Sequence, residues 1–318
     1  MLERISLFTA ERRWIWPATG ILILWLILAG LTDRFSLYNL TGVATSASFL
    51  LFPALGQMLV ITTGRGNIDL SIPSTVTLSA YITVVVSGGT DAGLLAAVAA
   101  VVAMALLIGL LNAVLVLVIR IPAMIATLAI GYILATATLL VNAQVKVMGA
   151  APTLAWLATG RAGGFPVVFL LAAAATLLAA FVLMRTAWGH NLLASGQSLE
   201  AARLAGVKIN RIVGSTFVLS ALLAAGTGML LSGYAAGAFL EMGTPYLLQS
   251  VGAVVLGGTL IAGGSASALG TLLGGILLVM VVTTMQIAGL PHGVQDIVQG
   301  VVIILVLAFG GAGLIRKR

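Results

Sequence analysis

The sequence predicts an all-α polytopic membrane protein, and three features of it carry that prediction. Of its 318 residues, 61% are hydrophobic and only 7% are charged, whereas a water-soluble domain charges about a quarter of its residues. The apolar residues gather into ten runs, of a length suited to about 30 Å of hydrocarbon. The 38 glycines suit helices that pack backbone to backbone in lipid. Cysteine is absent, which excludes disulfides, thiol catalysis and cysteine metal sites. The net charge of +7 does not point to a nucleic-acid partner, because the basic residues stand singly between apolar runs rather than on one face.

Residues 1–13 carry Arg4, Arg12 and Arg13, and the run from Trp14 to about Leu31 reads as an uncleaved first span. It is longer than the apolar core of a signal peptide. Further runs lie at about 42–63, 71–88, 92–119, 121–143, 165–184, 212–233, 246–262, 268–288 and 294–312. Cytoplasmic loops carry the excess of Lys and Arg. With the N-terminus inside, ten spans place Arg4, Arg12, Arg13, Arg65, Arg120, Arg185, Arg203, Lys208, Arg211, Arg316, Lys317 and Arg318 in the cytoplasm. Only Arg34, Lys146 and Arg161 fall outside, so both termini are expected inside. The chain reads as one transmembrane domain, 1–318. Near Gly64 and Gly263 glycine and polar residues interrupt apolar sequence, and there 64–70 and 262–268 read either as plain turns or as re-entrant, broken helices.

Each interruption has a local reading. In Thr63–Ser74, Gly64 and Gly66 permit a bend, Asp69 or Ser71 can cap the following helix, and Pro73 suits its first turn. The functional alternative makes Asp69 a polar element of a gate at the cytoplasmic end. In Val254–Gly275, Gly257 and Gly258 join the pair Gly270 and Gly274, spaced to let a second helix approach one face, within the subunit or between subunits. The least hydrophobic stretch, Arg185–Arg211, predicts a short helix from about Leu199 to Ala205, capped by Ser198 and stopped by Gly206. Glu200 and Arg203 each oppose the near end of its dipole. At about 10 Å such a helix needs a partner surface to hold it. The alternative is a solvated connector whose charge only orients the chain.

No catalytic constellation is present, and the chain does not read as an enzyme. The two histidines, His190 and His292, lie far apart and on opposite expected faces, which excludes HExxH. None of Lys146, Lys208 and Lys317 precedes Ser or Thr, so there is no Walker A loop and any ATP must be bound by another polypeptide. Asp69, Asp91, Glu241 and Asp296 fall at expected span ends. Spans so free of charge argue against an ion-coupled carrier and for energy supplied from outside the membrane. Gln57, Tyr81, Asn112 and Tyr132 lie within spans, where each needs an internal partner or a wet cavity. They read as helix-to-helix hydrogen bonds or as a neutral lining for an uncharged solute.

Three stretches together, Gly189–Arg211, Thr63–Ser74 and Val254–Gly275, resemble the ribose-type sugar permeases, membrane subunits of ABC importers. Two departures stand out: Arg65 is added where the family has Gly-Gly-Ile-Asp-Leu-Ser, and Ala266 stands where it often has glycine. The resemblance implies a second permease, identical or related, a cytoplasmic ATPase subunit that uses ATP and Mg²⁺, and an extracytoplasmic solute-binding protein. That protein would meet the outer loops near Thr90–Asp91 and Glu241–Tyr246. The chain itself would bind no cofactor or metal and would reside in a bacterial inner (plasma) membrane. Ser198, Glu200, Ala201, Ala202, Arg203 and Gly206 would form the ATPase-coupling element. Two alternatives remain: a branched-chain amino-acid permease of the same superfamily, and a secondary carrier or facilitator.

Overall fold

The structure, a computed structural model, describes residues 15–32, 37–145, 149–291, 293–295, 297–302 and 304. The expectations for Arg4, Arg12, Arg13, Arg34, Lys146, His292, Asp296, Arg316, Lys317 and Arg318 fall outside them. The described chain is an all-α polytopic membrane protein in which six helices are long and apolar enough to cross a membrane. Its helices are α1 (Ile15–Thr32), α2 (Leu37–Thr62), α3 (Ile72–Ser87), α4 (Asp91–Leu117), α5 (Ala123–Asn142) and α6 (Pro152–Thr159). There follow α7 (Val167–Arg185), α8 (Ala187–Gln197), α9 (Leu199–Leu204), α10 (Ile209–Tyr234), α11 (Tyr246–Leu256) and α12 (Ala268–Ile287). A two-residue hairpin, β1 (Arg161–Ala162) and β2 (Phe165–Pro166), joins α6 to α7.

Each of the first nine apolar runs holds a helix. The eighth differs from its expected extent, since α11 ends at Leu256 and residues 257–267 are irregular. The third run yields only the 16 residues of α3, about 24 Å at 1.5 Å per residue. Helix α10 lies at the centre, packed against α2, α3 and α4, while α1 and α11 pack on α12. Buried small residues allow this closeness: Gly56 of α2 lies against the backbone of Ser220, and Gly109 of α4 against that of Val218. The outward faces of α4, α5 and α7 carry exposed Leu107, Leu110, Ile125, Ile133, Leu178 and Phe181, as lipid-facing helices do.

The bundle has two distinct ends. At one, the C-terminus of α2 meets residues 257–267, since Gly264 N–H donates to the Thr62 carbonyl at 2.9 Å. Gln197 at the end of α8 donates from Nε2 to the Gly264 carbonyl at 3.1 Å. Val60, Ala123, Ala202 and Ile209 share one apolar cluster there. At the far end Thr153 N–H donates to Asp91 Oδ1 at 2.9 Å, and Arg161 donates to Thr41 Oγ1 at 3.4 Å. Between Tyr234 and Tyr246 the chain turns back into the bundle, where Gly243 N–H donates to Thr77 Oγ1 at 3.0 Å. Helix α11 therefore begins beside the first turns of α3, inside the protein.

Candidate functional site

Three consecutive residues in left-handed conformation turn the chain after α2: Gly64 (φ 76°), Arg65 (φ 61°) and Gly66 (φ 72°). Beyond this bend the chain does not leave the protein. It runs back alongside α2, so that Asp69 and Ser71 are only 2% and 1% exposed. The sequence reading set Asp69 at a span end. Asp69 does lie at the start of α3, three residues before Ile72, but its carboxylate is buried among α2, α3, α4 and α10.

A buried carboxylate is tolerable only when donors replace its water. Here Ser71 donates to Oδ1 from both its backbone N–H at 3.0 Å and its hydroxyl at 2.5 Å. Ser220, midway along α10, donates its hydroxyl to Oδ2 at 2.7 Å. The network extends in two directions. Asn112 Nδ2 donates to Ser71 Oγ at 2.9 Å, and Asp69 N–H donates to Gln57 Oε1 at 3.2 Å. Leu70 N–H donates to Thr127 Oγ1 at 2.9 Å. The carboxylate thus lies just before the first turn of α3, where negative charge complements the helix dipole. Of the two capping candidates, Asp69 accepts a backbone N–H and Ser71 makes no side-chain cap.

Two atoms of the cluster have no partner among the described residues: Gln57 Nε2, a donor, and Asn112 Oδ1, an acceptor. Each such atom, fully buried, costs about 1–3 kcal/mol. Hydroxyl groups, which donate and accept, answer both kinds of atom.

The second irregular segment, 257–267, is held differently. Gly263 (φ 88°) packs on the backbone of Gly64, and Gly264 packs on that of Gln197. Gly196 in turn lies against the Thr62 carbonyl and the Gly264 amide, too close for any side chain. Gly270 rests on the Gly257 carbonyl and Gly274 on that of Ala253, so this small-residue pair seats α12 on α11 within one chain. Gly258 adopts φ 88° in the turn after α11.

The polar stretch holds two helices where one was expected. Thr186 starts α8 by accepting from Gly189 N–H at 3.1 Å, a threonine cap that was readable in the sequence. Ser198 caps α9 by accepting from Ala201 N–H at 3.3 Å, with Glu200 in the first turn and Arg203 in the last. Gly206 follows at φ 82° with open space around it. Ala202 is buried against Val60, Val213 and Phe217. It faces the bundle, while Glu200, Ala201 and Arg203 face outward. Leu204 is 90% exposed. Sequence reading passed over this leucine, since nothing in its spacing distinguishes it from an anchoring residue.

Among the expected lining residues, the structure joins Gln57, Asp69 and Asn112 in one cluster. Tyr81, 2% exposed, is instead packed with Phe49, Val76 and Val84. Tyr132, 69% exposed, lies on the outer face of α5. Ser220 and Thr127 entered the cluster unannounced, because a lone hydroxyl in an apolar run looks like any residue bonded to its own helix.

Comparison with known proteins follows the same outline. Residues 39–307 match the family described as branched-chain amino acid transport system / permease component. The chain is similar to the ribose import permease protein RbsC of Escherichia coli strain K12, 32% identical over 291 residues that cover 90% of both chains. It is also similar to the autoinducer 2 import system permease protein LsrC of Yersinia pseudotuberculosis serotype O:1b. That identity is 31% over 286 residues, covering 89% of this chain and 81% of the relative. No solved structure matches it.

Proposed function

The chain belongs to the branched-chain amino acid transport system / permease component family, and from that premise we propose that it is the membrane subunit of an ATP-driven importer for a sugar or similar small neutral solute. The similar relatives are named for ribose and autoinducer 2 import. Neutral amides and hydroxyls around a fully engaged carboxylate suit an uncharged solute with hydroxyl groups. An amino acid would call for fixed charges at its ammonium and carboxylate. The ATPase, the solute-binding protein and a second permease are partners of this assembly. Its membrane is the bacterial inner membrane, crossed ten times with both termini in the cytoplasm. Arg65, Arg120, Arg185, Arg203, Lys208 and Arg211 share one end of the bundle, which supports that end as cytoplasmic.

The observation that carries the mechanism is the triple backbone contact of Gly196, Thr62 and Gly264. It ties α8, and through Ser198 the exposed helix α9, to both irregular segments. An ATPase that grips Glu200, Ala201, Arg203 and Leu204 pulls on this junction. The pull is passed to the end of α2 and to residues 257–267. Because the chain between Thr62 and Ile72 also holds Asp69, the cluster with Gln57 and Asn112 moves with it. Alternating exposure of that cluster passes the solute across.

The test is uptake of D-ribose, other pentoses and leucine into liposomes holding the chain with its ATPase and binding protein. ATP-dependent entry of a pentose, with none of leucine, is expected. Leu204→Asp, with thermal stability unchanged, and Gly206→Val, with a stability loss of about 1–2 kcal/mol from its φ of 82°, should both abolish it, each with less ATPase retained on co-purification. Gly206→Val acts because a β-branched residue resists positive φ. Entry through the chain alone, without ATPase or ATP, would make it a facilitator.

A further inference from the structure

At the far end of the bundle, away from the Asp69 cluster, a cavity of about 350 Å³ opens between α2, α10, α12 and the hairpin. Ser46 lies 16 residues before Thr62 on α2, about 24 Å along the helix. The cavity therefore belongs to neither irregular segment. Volumes of about 300–1,000 Å³ are usual for sites that enclose small molecules.

Its lining is rich in uncharged hydrogen-bonding groups, with Ser46, Tyr234 and Gln286 open to solvent. The side chains of Ser46, Tyr234, Thr283 and Gln286 reach it from three helices. None of the four makes a hydrogen bond to any described residue. Most other described hydroxyls bond to their own helix, as Thr45 does to the Thr41 carbonyl and Thr159 to that of Ala155. The position of Tyr234 is fixed all the same, its ring tilted 57° on Phe49 with centroids 5.1 Å apart. Val43 and Pro166 add apolar surface. Arg161 brings the lining's charge, and it is exposed at the edge with its guanidinium donating to Thr41. No carboxylate lines the cavity among the described residues.

We propose that this cavity, formed within one chain at the end opposite α9, binds a small, uncharged, polyhydroxylated solute. Free hydroxyls and one amide can both donate and accept, which matches a molecule whose surface is mostly hydroxyl. The apolar side chains of Val43 and Pro166 in the lining suit the C–H face of a ring. A solute held here waits on the far side of the bundle from the Asp69 cluster, so the chain has two stations for it rather than one. The importer reading supplies only the choice of probe.

The absence of native cysteine makes the test direct. Ser46→Cys, Thr283→Cys and Gln286→Cys are prepared singly in the full chain, in lipid nanodiscs, and labelled with a small maleimide. Ala92→Cys, exposed at the same end, is the reference. D-ribose should slow labelling at the three cavity positions, roughly tenfold at ten times its dissociation constant by mass action, and leave Ala92→Cys unaffected. Equal rates with and without ribose at every cavity variant that elutes as folded protein overturn the proposal. So does protection by ribose 5-phosphate or sulfate alone, which would make the cavity an anion site centred on Arg161. Pentose uptake that persists without protection discards the cavity and keeps the importer reading. Protection without any uptake keeps the cavity and discards that reading.

Discussion

The two irregular segments of this bundle, 63–71 and 257–267, touch each other at Gly64 and Gly263 yet are held by opposite means. The first is fixed by side chains: Asp69, Ser71, Gln57, Asn112, Thr127 and Ser220 are joined by hydrogen bonds across five helices or loops. The second is fixed by the absence of side chains, its glycines lying directly on the backbones of Gly64, Gln197 and Thr271. A hydrogen-bonded cluster can exchange partners and can offer groups to a solute. A backbone-on-backbone contact offers no chemistry but transmits displacement, since close-packed atoms have nowhere to yield. The division suggests that the first segment meets the solute and the second passes on the motion of α8 and α9.

The largest effect is expected where the two meet. Gly263→Ala adds a Cβ that would overlap the backbone of Gly64 while forcing an alanine to φ 88°. The left-handed conformation costs about 1–2 kcal/mol and overpacking about 1–3 kcal/mol more. A loss of about 3 kcal/mol, read as a large fall in thermal midpoint or failure to recover folded protein, is expected. A midpoint equal to wild type would mean that the contact holds nothing.

A smaller but more informative change separates the segments. Asp69→Ala strands the Ser71 amide and the hydroxyls of Ser71 and Ser220 without their acceptor, at a cost of about 3 kcal/mol or less. Asp69→Asn keeps an oxygen for Ser71 and turns an amide toward Ser220, whose hydroxyl can accept instead. It should lose about 1 kcal/mol. If the cluster meets the solute, Asp69→Asn lowers pentose uptake well beyond its small loss of thermal midpoint. Uptake that tracks stability in both variants would return Asp69 to a purely structural role, and the contrast between the segments would lose its functional meaning.

The helices were legible because apolar runs declare themselves by composition alone, and α3 to α5 begin and end within two residues of their expected limits. Legible too were Ser198 as a cap and Gly206 as a stop, since both are local signals. The interior course of 63–71 was not legible. An acid beside glycines reads as a span end, and only its distant partners Ser220 and Asn112 reveal that the chain turns inward. The early stop of α11 at Leu256 was hidden for a related reason. Residues 257–262 remain mostly apolar, but their backbone is spent on contacts with α12. Likewise Ala202 and Leu204 look alike as helix-formers, and the packing of α9 on Val60 alone decides which faces the bundle.

The smallest effect is expected at Arg65, the residue added to the first segment. It is exposed, its φ of 61° is costly for any residue with a Cβ, and glycines flank it in the same conformation. Arg65→Gly removes about 1–2 kcal/mol of backbone strain. Against that, glycine returns about 0.4–1 kcal/mol of chain entropy to the unfolded state. The balance is a stabilisation of about 0.5 kcal/mol, a slight rise in thermal midpoint. Pentose uptake should be unchanged, because the bend is already imposed by Gly64 and Gly66 and orientation is set by many other cations. A clear fall in midpoint would mean that the Arg65 side chain itself anchors the segment, and that side chains hold its outer turn as firmly as they hold Asp69.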